Sequence, residues 1–246
     1  MEAQTKPLEG KTALVTGSTS GIGKAIAKKL VELGADVIVH GKTPTRTKNA
    51  QIDVGGIEGL YCDLDIKEDV AKIGEILYIK KLDPTILVNC AAIAIDYPAE
   101  NISLKQWDQI IQVNLTAAFQ LSQAVFPFMK AAGWGRIVNI SSIAGHSFSK
   151  WCGIHYSISK AGLVTMTKQL AWEWAKYGIA VNCVCPGQTD TKMLDPFRDS
   201  LDEIQEGIPD GLVATPEEVA NAATWLCLPK TTHVNGAIIN VSGGVQ

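Results

Sequence analysis

The sequence predicts an α/β fold, one doubly wound parallel sheet of seven strands with helices on both faces. Three observations predict it. Strand-like and helix-like segments alternate from beginning to end. Several strand-like segments are apolar on both faces, as strands covered on each side must be. A glycine-rich turn, "TGSTSGIG", leads directly from the first strand into the first helix.

The elements follow in order. "TALVT" (12–16) reads as the first strand and "GIGKAIAKKLVELG" (21–34) as an amphipathic helix with Ile22, Ile26, Leu30 and Leu33 on its apolar face, closed by Gly34. "DVIVH" (36–40) is the second strand, and a polar, basic connection rich in threonine follows it. "GLYCD" (59–63), "TILVNCA" (85–91), "RIVNIS" (136–141), "AVNCVC" (180–185) and "AIINVS" (237–242) supply five more strands. Helical patterns cover about 66–79, 103–131, 154–177 and 216–227; the last opens on Thr215 as N-cap, Pro216 and Glu218, a capping box. Such regular alternation predicts a single domain over 1–246 with right-handed crossovers. Only 188–212 breaks the rhythm, an excursion of the length and mixed character of a binding loop.

Bulk composition narrows the function. With 22 basic and 25 acidic residues the net charge is −3, which argues against a nucleic-acid or anionic-membrane binder. No apolar run reaches the roughly 18 residues of a membrane span. The opening "MEAQTKPLEGK" has no apolar signal core, so a cytoplasmic location is expected. Six cysteines sit mostly in apolar strand-like runs. Cys183 and Cys185 share a strand face, but no histidine lies near them in sequence and no C-x-x-C occurs, so no metal site is expected.

The glycine turn is where backbone N–H groups and a helix N-terminus can meet a pyrophosphate. Gly17, Gly21 and Gly23 follow G-x-x-x-G-x-G, not G-x-G-x-x-G, so position and not the text of the motif carries the reading. At the end of the second strand, where NAD-binding chains favour an acid for the ribose hydroxyls, stands Gly41, followed by Lys42, with Thr43, Thr45 and Arg46 beyond. A cation there attracts a 2′-phosphate, so NADP(H) is favoured over NAD(H).

Tyr156 and Lys160 are four apart in "YSISK", one helical turn, so phenol and ammonium share a face. An ordinary tyrosine titrates near pH 10; a neighbouring ammonium is expected to lower that value. With the glycine turn and this pair both present, the chain resembles the short-chain dehydrogenase/reductase family, over nearly its whole length, in its 3-oxoacyl-carrier-protein-reductase-like and carbonyl-reductase-like branch. "NCAA" (89–92), "VNL" with Asn114, "ISS" with Ser142, and "PGQTDT" (186–191) match further family motifs in order. The departures are Cys90 and Ala92 in "NCAA" and a cluster of His146, Trp151 and His155 before the tyrosine.

The resemblance implies a Rossmann-type fold and an NAD(P)(H)-dependent oxidoreductase interconverting a ketone and a secondary alcohol. It implies catalytic roles for Asn114, Ser142, Tyr156 and Lys160: Tyr156 as general acid/base, Ser142 on the carbonyl oxygen, Lys160 on the ribose, and Asn114 holding a water. It implies a cofactor site from Gly17, Ser18, Thr19, Ser20, Gly21, Ile22 and Gly23, with Lys42, Asp63, Leu64, Asn89 and Ala91, and then Pro186, Gly187, Thr189 and Thr191. His146, Trp151, Gln188 and Met193 are candidates for the substrate wall. Substrate alternatives are a 3-oxoacyl thioester, a sugar or polyol, and a cyclic or aromatic ketone. Lys130, Arg136 and Lys176 are too few to make a strong basic dock for an acidic carrier protein. A different class, a dinucleotide-binding regulator without turnover, is the competing reading; the presence of Tyr156 and Lys160 argues against it. The resemblance also implies a homodimer or homotetramer built on 103–131, 154–177 and the last strand, with Trp172 or Trp174 near the contact.

Overall fold

The computed structural model describes residues 6–246. Its strands are β1 (Thr12–Val15), β2 (Asp36–Gly41), β3 (Glu58–Tyr61), β4 (Ile86–Asn89), β5 (Gly135–Ile140), β6 (Ile179–Pro186) and β7 (Ile238–Val241). They form one all-parallel sheet in the order β3-β2-β1-β4-β5-β6-β7. The order reverses direction between β1 and β4, and in open α/β sheets ligands bind at such a switch point.

Strand alternation divides the core. Ala13 and Val15 face one layer, with Ile26, Ala27 and Leu30 of α1 (Gly21–Glu32) and Val219, Ala220 and Ala223 of α9 (Pro216–Leu226). Leu14 faces the other, with Val70 of α3 (Lys67–Ala71), Ile73 and Leu77 of α4 (Ile73–Ile79), Leu121 and Val125 of α6 (Ala117–Ala132) and Leu170 of α7 (Ile154–Trp174). This is the period of two expected of strands buried on both faces. The Thr215–Glu218 capping box is formed.

Three helical expectations are corrected. The connection after β2 is a helix, α2 (Pro44–Val54): Thr43 caps it by accepting from the Arg46 N–H, Pro44 occupies its first turn, and Gly55 ends it at φ 77°. Its face is mostly polar, so apolar periodicity does not reveal it, although Thr-Pro at one end and Gly at the other are cap signals. The pattern at 103–131 is two helices, α5 (Leu104–Ile111) and α6, joined through a π-helical turn at Gln112–Thr116 that contains Asn114. The pattern at 66–79 is broken at Lys72 into α3 and α4. The 188–212 excursion carries a short 3-10 turn at Asp195–Ser200 and the helix α8 (Leu201–Glu206).

One surface expectation also changes. Arg136 is buried at the start of β5, donating to the Gly135 carbonyl at 2.8 Å and lying 4.6 Å from the Trp134 ring centre, so it adds nothing to a basic surface. Trp174 packs on Phe126 at 4.6 Å, whereas Trp172 is 80% exposed. Among the described residues no helix is long and apolar enough to cross a membrane.

Candidate active site

The C-terminal ends of β1, β2, β4, β5 and β6 open into a cavity of about 910 Å³ that reaches from the glycine turn to the 188–212 excursion. Close packing requires glycine at the turn. A Cβ on Gly17 (φ 67°) would lie 2.9 Å from the Ala91 Cα, and one on Gly23 would lie 2.5 Å from the Gly17 carbonyl oxygen. The backbone thus lies bare at the N-terminus of α1, where N–H groups are free to meet an anion. These features fit a dinucleotide.

Thr19, Ser20, Gly21 and Ile22 line the cavity at this end, as do Lys42, Asp63, Leu64 and Ala91. Ser18 does not: its hydroxyl is fully buried, donating to the Val15 carbonyl at 2.9 Å and accepting from the His40 N–H at 2.9 Å. Asn89 is likewise turned into the core, donating to Asn139 at 2.9 Å in a chain that continues to Thr167. Small polar residues at strand ends serve such internal bonds as readily as a ligand. Lys42 and Asp63, both expected at the cofactor, form a 3.0 Å ion pair with each other. On the other side of the cavity Pro186, Gly187, Thr189 and Thr191 line the wall, and the Thr191 methyl lies against Gly21.

Two residues missed in the sequence hold this end together. Thr16 Oγ1 accepts from the N–H groups of Cys90 and Ala91 at 2.9 and 3.1 Å, tying the β4 turn to β1. His40 accepts at Nδ1 from the Gly17 N–H at 3.3 Å, with Nε2 3.2 Å from the Cys62 carbonyl. That pairing fixes the neutral tautomer with the proton on Nε2. Burial pushes its pKa down from 6.5 to about 4, the Cys62 carbonyl and Asp63 opposing. The unfolded chain therefore binds the proton first: His40's contribution is complete above pH 6.5 and is lost as pH falls toward about 4. Between pH 7 and pH 5 this loss amounts to about 2 kcal/mol. Urea unfolding of wild type and His40→Asn over that range should show the extra slope in wild type only. Equal slopes would remove His40 from the account. A histidine inside an apolar strand gives no such signal in sequence.

At the far end, β5 delivers Ser142 and α7 delivers Tyr156 and Lys160, and all three line the cavity. Lys160 is 2% exposed; its ammonium donates to the Ile140 carbonyl at 2.9 Å and lies 5.6 Å from the Tyr156 ring centre. Ser142 accepts from the Ala144 N–H at 3.1 Å. The expectation that Lys160 makes Tyr156 a stronger acid is corrected for the protein alone. Burial holds the Tyr156 phenol well above its ordinary value, more than the neighbouring Ser142 hydroxyl lowers it, and burial likewise lowers Lys160. The physical reason is that desolvation penalises both ions, while the ammonium is engaged with a carbonyl.

Asn114 does not line the cavity. Its amide accepts from Ile93 N–H at 2.9 Å and donates to the Ile93 carbonyl at 2.9 Å and to Ser159 at 3.1 Å. It clamps the β4 loop to α7, and the π turn presents it there. Trp151, Gln188 and Met193 line the excursion side. His146 does not; it is exposed. The Cys183 and Cys185 sulfurs lie 3.8 Å apart. His155 is fully buried and does not line the cavity.

A family model described as Enoyl-(Acyl carrier protein) reductase matches residues 17–246. The 3-oxoacyl-(acyl-carrier-protein) reductase FabG of Aquifex aeolicus (strain VF5) is 39% identical over 245 residues, covering 97% of this chain and 98% of its own. A proposed NAD(P) dependent gluconate 5-dehydrogenase from Beutenbergia cavernae, solved with bound NADP, superposes with a TM-score of 0.90 at 35% identity, covering 98% of each chain. A proposed 2-deoxy-d-gluconate 3-dehydrogenase from Agrobacterium tumefaciens, also with bound NADP, gives a TM-score of 0.86 at 34% identity, again over 98% of each. The chain belongs to the short-chain dehydrogenase/reductase family. It is an NAD(P)-dependent oxidoreductase acting on a ketone and secondary-alcohol pair.

Proposed function

We propose that this chain is an NADPH-preferring carbonyl reductase in which Tyr156 exchanges the proton. One observation carries the reading: a single cavity joins the glycine turn to Ser142, Tyr156 and Lys160. The net reaction is ketone plus NADPH plus a proton giving secondary alcohol plus NADP⁺. When bound, the nicotinamide supplies the hydride that reaches the carbonyl carbon. Ser142 donates a hydrogen bond to the carbonyl oxygen and fixes it beside the phenol. Tyr156, held neutral by burial, gives that oxygen its proton as negative charge develops there. Lys160 carries two further N–H donors beyond the one on Ile140, suited to ribose hydroxyls, and its charge favours the tyrosinate that remains. Asn114 acts as a positioning residue through Ile93 and Ser159.

Preference for NADPH is supported by Lys42 and Arg46 on the cavity wall, by the N-terminus of α2 beside them, and by the NADP in both solved relatives named above. Initial rates with NADPH and NADH over a carbonyl panel test the proposal; no turnover with either cofactor would sink it. Lys42→Ala should narrow the preference for NADPH by about 10-fold, the value of one charge-assisted bond. An unchanged preference would move the phosphate contact elsewhere.

We propose a cytoplasmic protein, in keeping with its six free cysteines. It assembles as a homodimer or homotetramer through α7, where Ile154, Ile158 and Trp172 lie exposed at helical spacing. A monomer in sedimentation would contradict this assembly.

A further inference from the structure

The substrate half of the cavity has a wall of its own chemistry. Leu194, Ile204 and Ile208 are buried there, and Trp151, Phe197 and Val245 pack against them half-exposed. The Trp151 and Phe197 rings meet edge to face at 5.7 Å and 66°. All six residues also line the cavity. They come from three separate stretches: the segment before α7, the excursion after β6, and the tail after β7. The tail is fastened to the excursion, since Asp210 N–H donates to the Gly243 carbonyl at 3.2 Å, so this wall is built and continuous.

Charge is confined to the rim. Lys150, Lys192 and Glu203 line the cavity on this side, but all three are exposed. Besides Ser142 and Tyr156, the uncharged polar side chains on this side are Ser147, Ser149, Cys152, Gln188, Thr189 and Thr191. Several are already engaged: the Ser149 hydroxyl accepts from the Trp151 N–H at 3.0 Å, Thr189 donates to the Gly187 carbonyl at 3.1 Å, Thr191 accepts from the Met193 N–H at 3.3 Å, and Ser147 is exposed. A polyhydroxylated chain entering this space would lose water from several hydroxyls and find few partners, a penalty of the kind that makes sites reject the wrong polarity. An apolar substituent would gain from each buried methylene.

We propose that the carbonyl substrate carries an apolar ring or acyl chain, received by the Trp151, Leu194, Phe197, Ile204, Ile208 and Val245 wall, and that sugar acids and polyols are excluded. This rests on the reductase reading above and names the substrate class of that site. The apolar group has two sources, a free ketone or a 3-oxoacyl thioester, which share the chemistry of the wall.

The test compares kcat/KM of the full chain with NADPH for three compounds: trans-decalone, the N-acetylcysteamine thioester of a 3-oxo fatty acid, and a keto-gluconate. NADPH binding is measured separately by fluorescence. Decalone or the thioester should exceed the keto-gluconate by about 100-fold or more. A higher value for the thioester identifies the acyl source, and a higher value for decalone the free ketone. Phe197→Gln should raise KM for the preferred apolar compound about 10-fold while NADPH affinity stays unchanged, which also shows that the variant is folded. A keto-gluconate reduced as well as or better than both apolar compounds overturns the proposal and leaves the reductase reading standing. NADPH binding with no reduction of any of the three overturns both. An unaltered KM in Phe197→Gln overturns the assignment of the wall.

Discussion

Tyr156→Phe should lower kcat for carbonyl reduction by about 10²–10⁴-fold, the usual worth of a positioned general acid, with NADPH affinity nearly unchanged. The substitution removes one oxygen from a ring that is 7% exposed, so packing and fold survive. Its effect falls on kcat because the phenol acts only as charge develops on the carbonyl oxygen. Ser142 is left able to bind that oxygen, which sets the residual rate. If kcat of Tyr156→Phe stayed within a few-fold of wild type, another group would have to supply the proton. Among the described residues of the cavity wall, the side chains nearest in role are Ser142 and Lys160.

Gly41→Asp should weaken NADPH and NADH together, by about 5- to 150-fold, and lower Tm, instead of converting the preference to NADH. Charge reasoning alone says otherwise, since an acid at this strand end is what an NAD site uses. Packing decides against it. A Cβ on Gly41 would lie 2.5 Å from the Thr19 methyl and 2.7 Å from the Thr47 hydroxyl. Thr47 is 2% exposed and its hydroxyl donates to the Thr43 carbonyl at 2.7 Å, so it cannot step aside without opening the first turn of α2. Thr19 lies on the glycine turn itself. Overpacking of this kind costs about 1–3 kcal/mol, which is the range of affinity loss expected. Calorimetric Kd values for both cofactors check it. A gain in NADH affinity would mean that β2 and the turn are looser than these contacts imply.

What was legible in the sequence follows from periodicity and caps. All seven strands and the sheet's parallel character were readable because buried strands write their composition openly, as in "TILVN" and "AVNCVC". The helix α9 was readable from Thr215, Pro216 and Glu218. Helix α2 was not, because its exposed polar face erases the apolar period and leaves only its caps, Thr43 and Gly55, as a signal. The site divides the same way. Tyr156, Lys160 and Ser142 were readable as a set and do line one cavity. A polar residue at a strand end looks the same in sequence whether it faces a cofactor or the core, and Ser18 and Asn89 face the core. His40 and Thr16 escaped for the opposite reason. Their work is done across the sheet, to Gly17 and to Ala91, over sequence separations of 23 and 75 residues that no local pattern records. The lower acidity of Tyr156 was also out of reach, since desolvation depends on everything packed around it.

The central claim is that the Tyr156 phenol moves the proton, and the pH dependence of the reverse reaction, alcohol oxidation with NADP⁺, addresses it most directly. Oxidation needs the tyrosinate, which burial disfavours in the protein alone, so its rate should rise about tenfold per pH unit through the neutral range until that group ionises. Carbonyl reduction, which needs the phenol, should stay flat over the same range. In Tyr156→Phe the rising limb of oxidation should disappear from whatever slow rate remains. A rising limb that persists unchanged in Tyr156→Phe would show that some other group carries the proton, and would contradict the account.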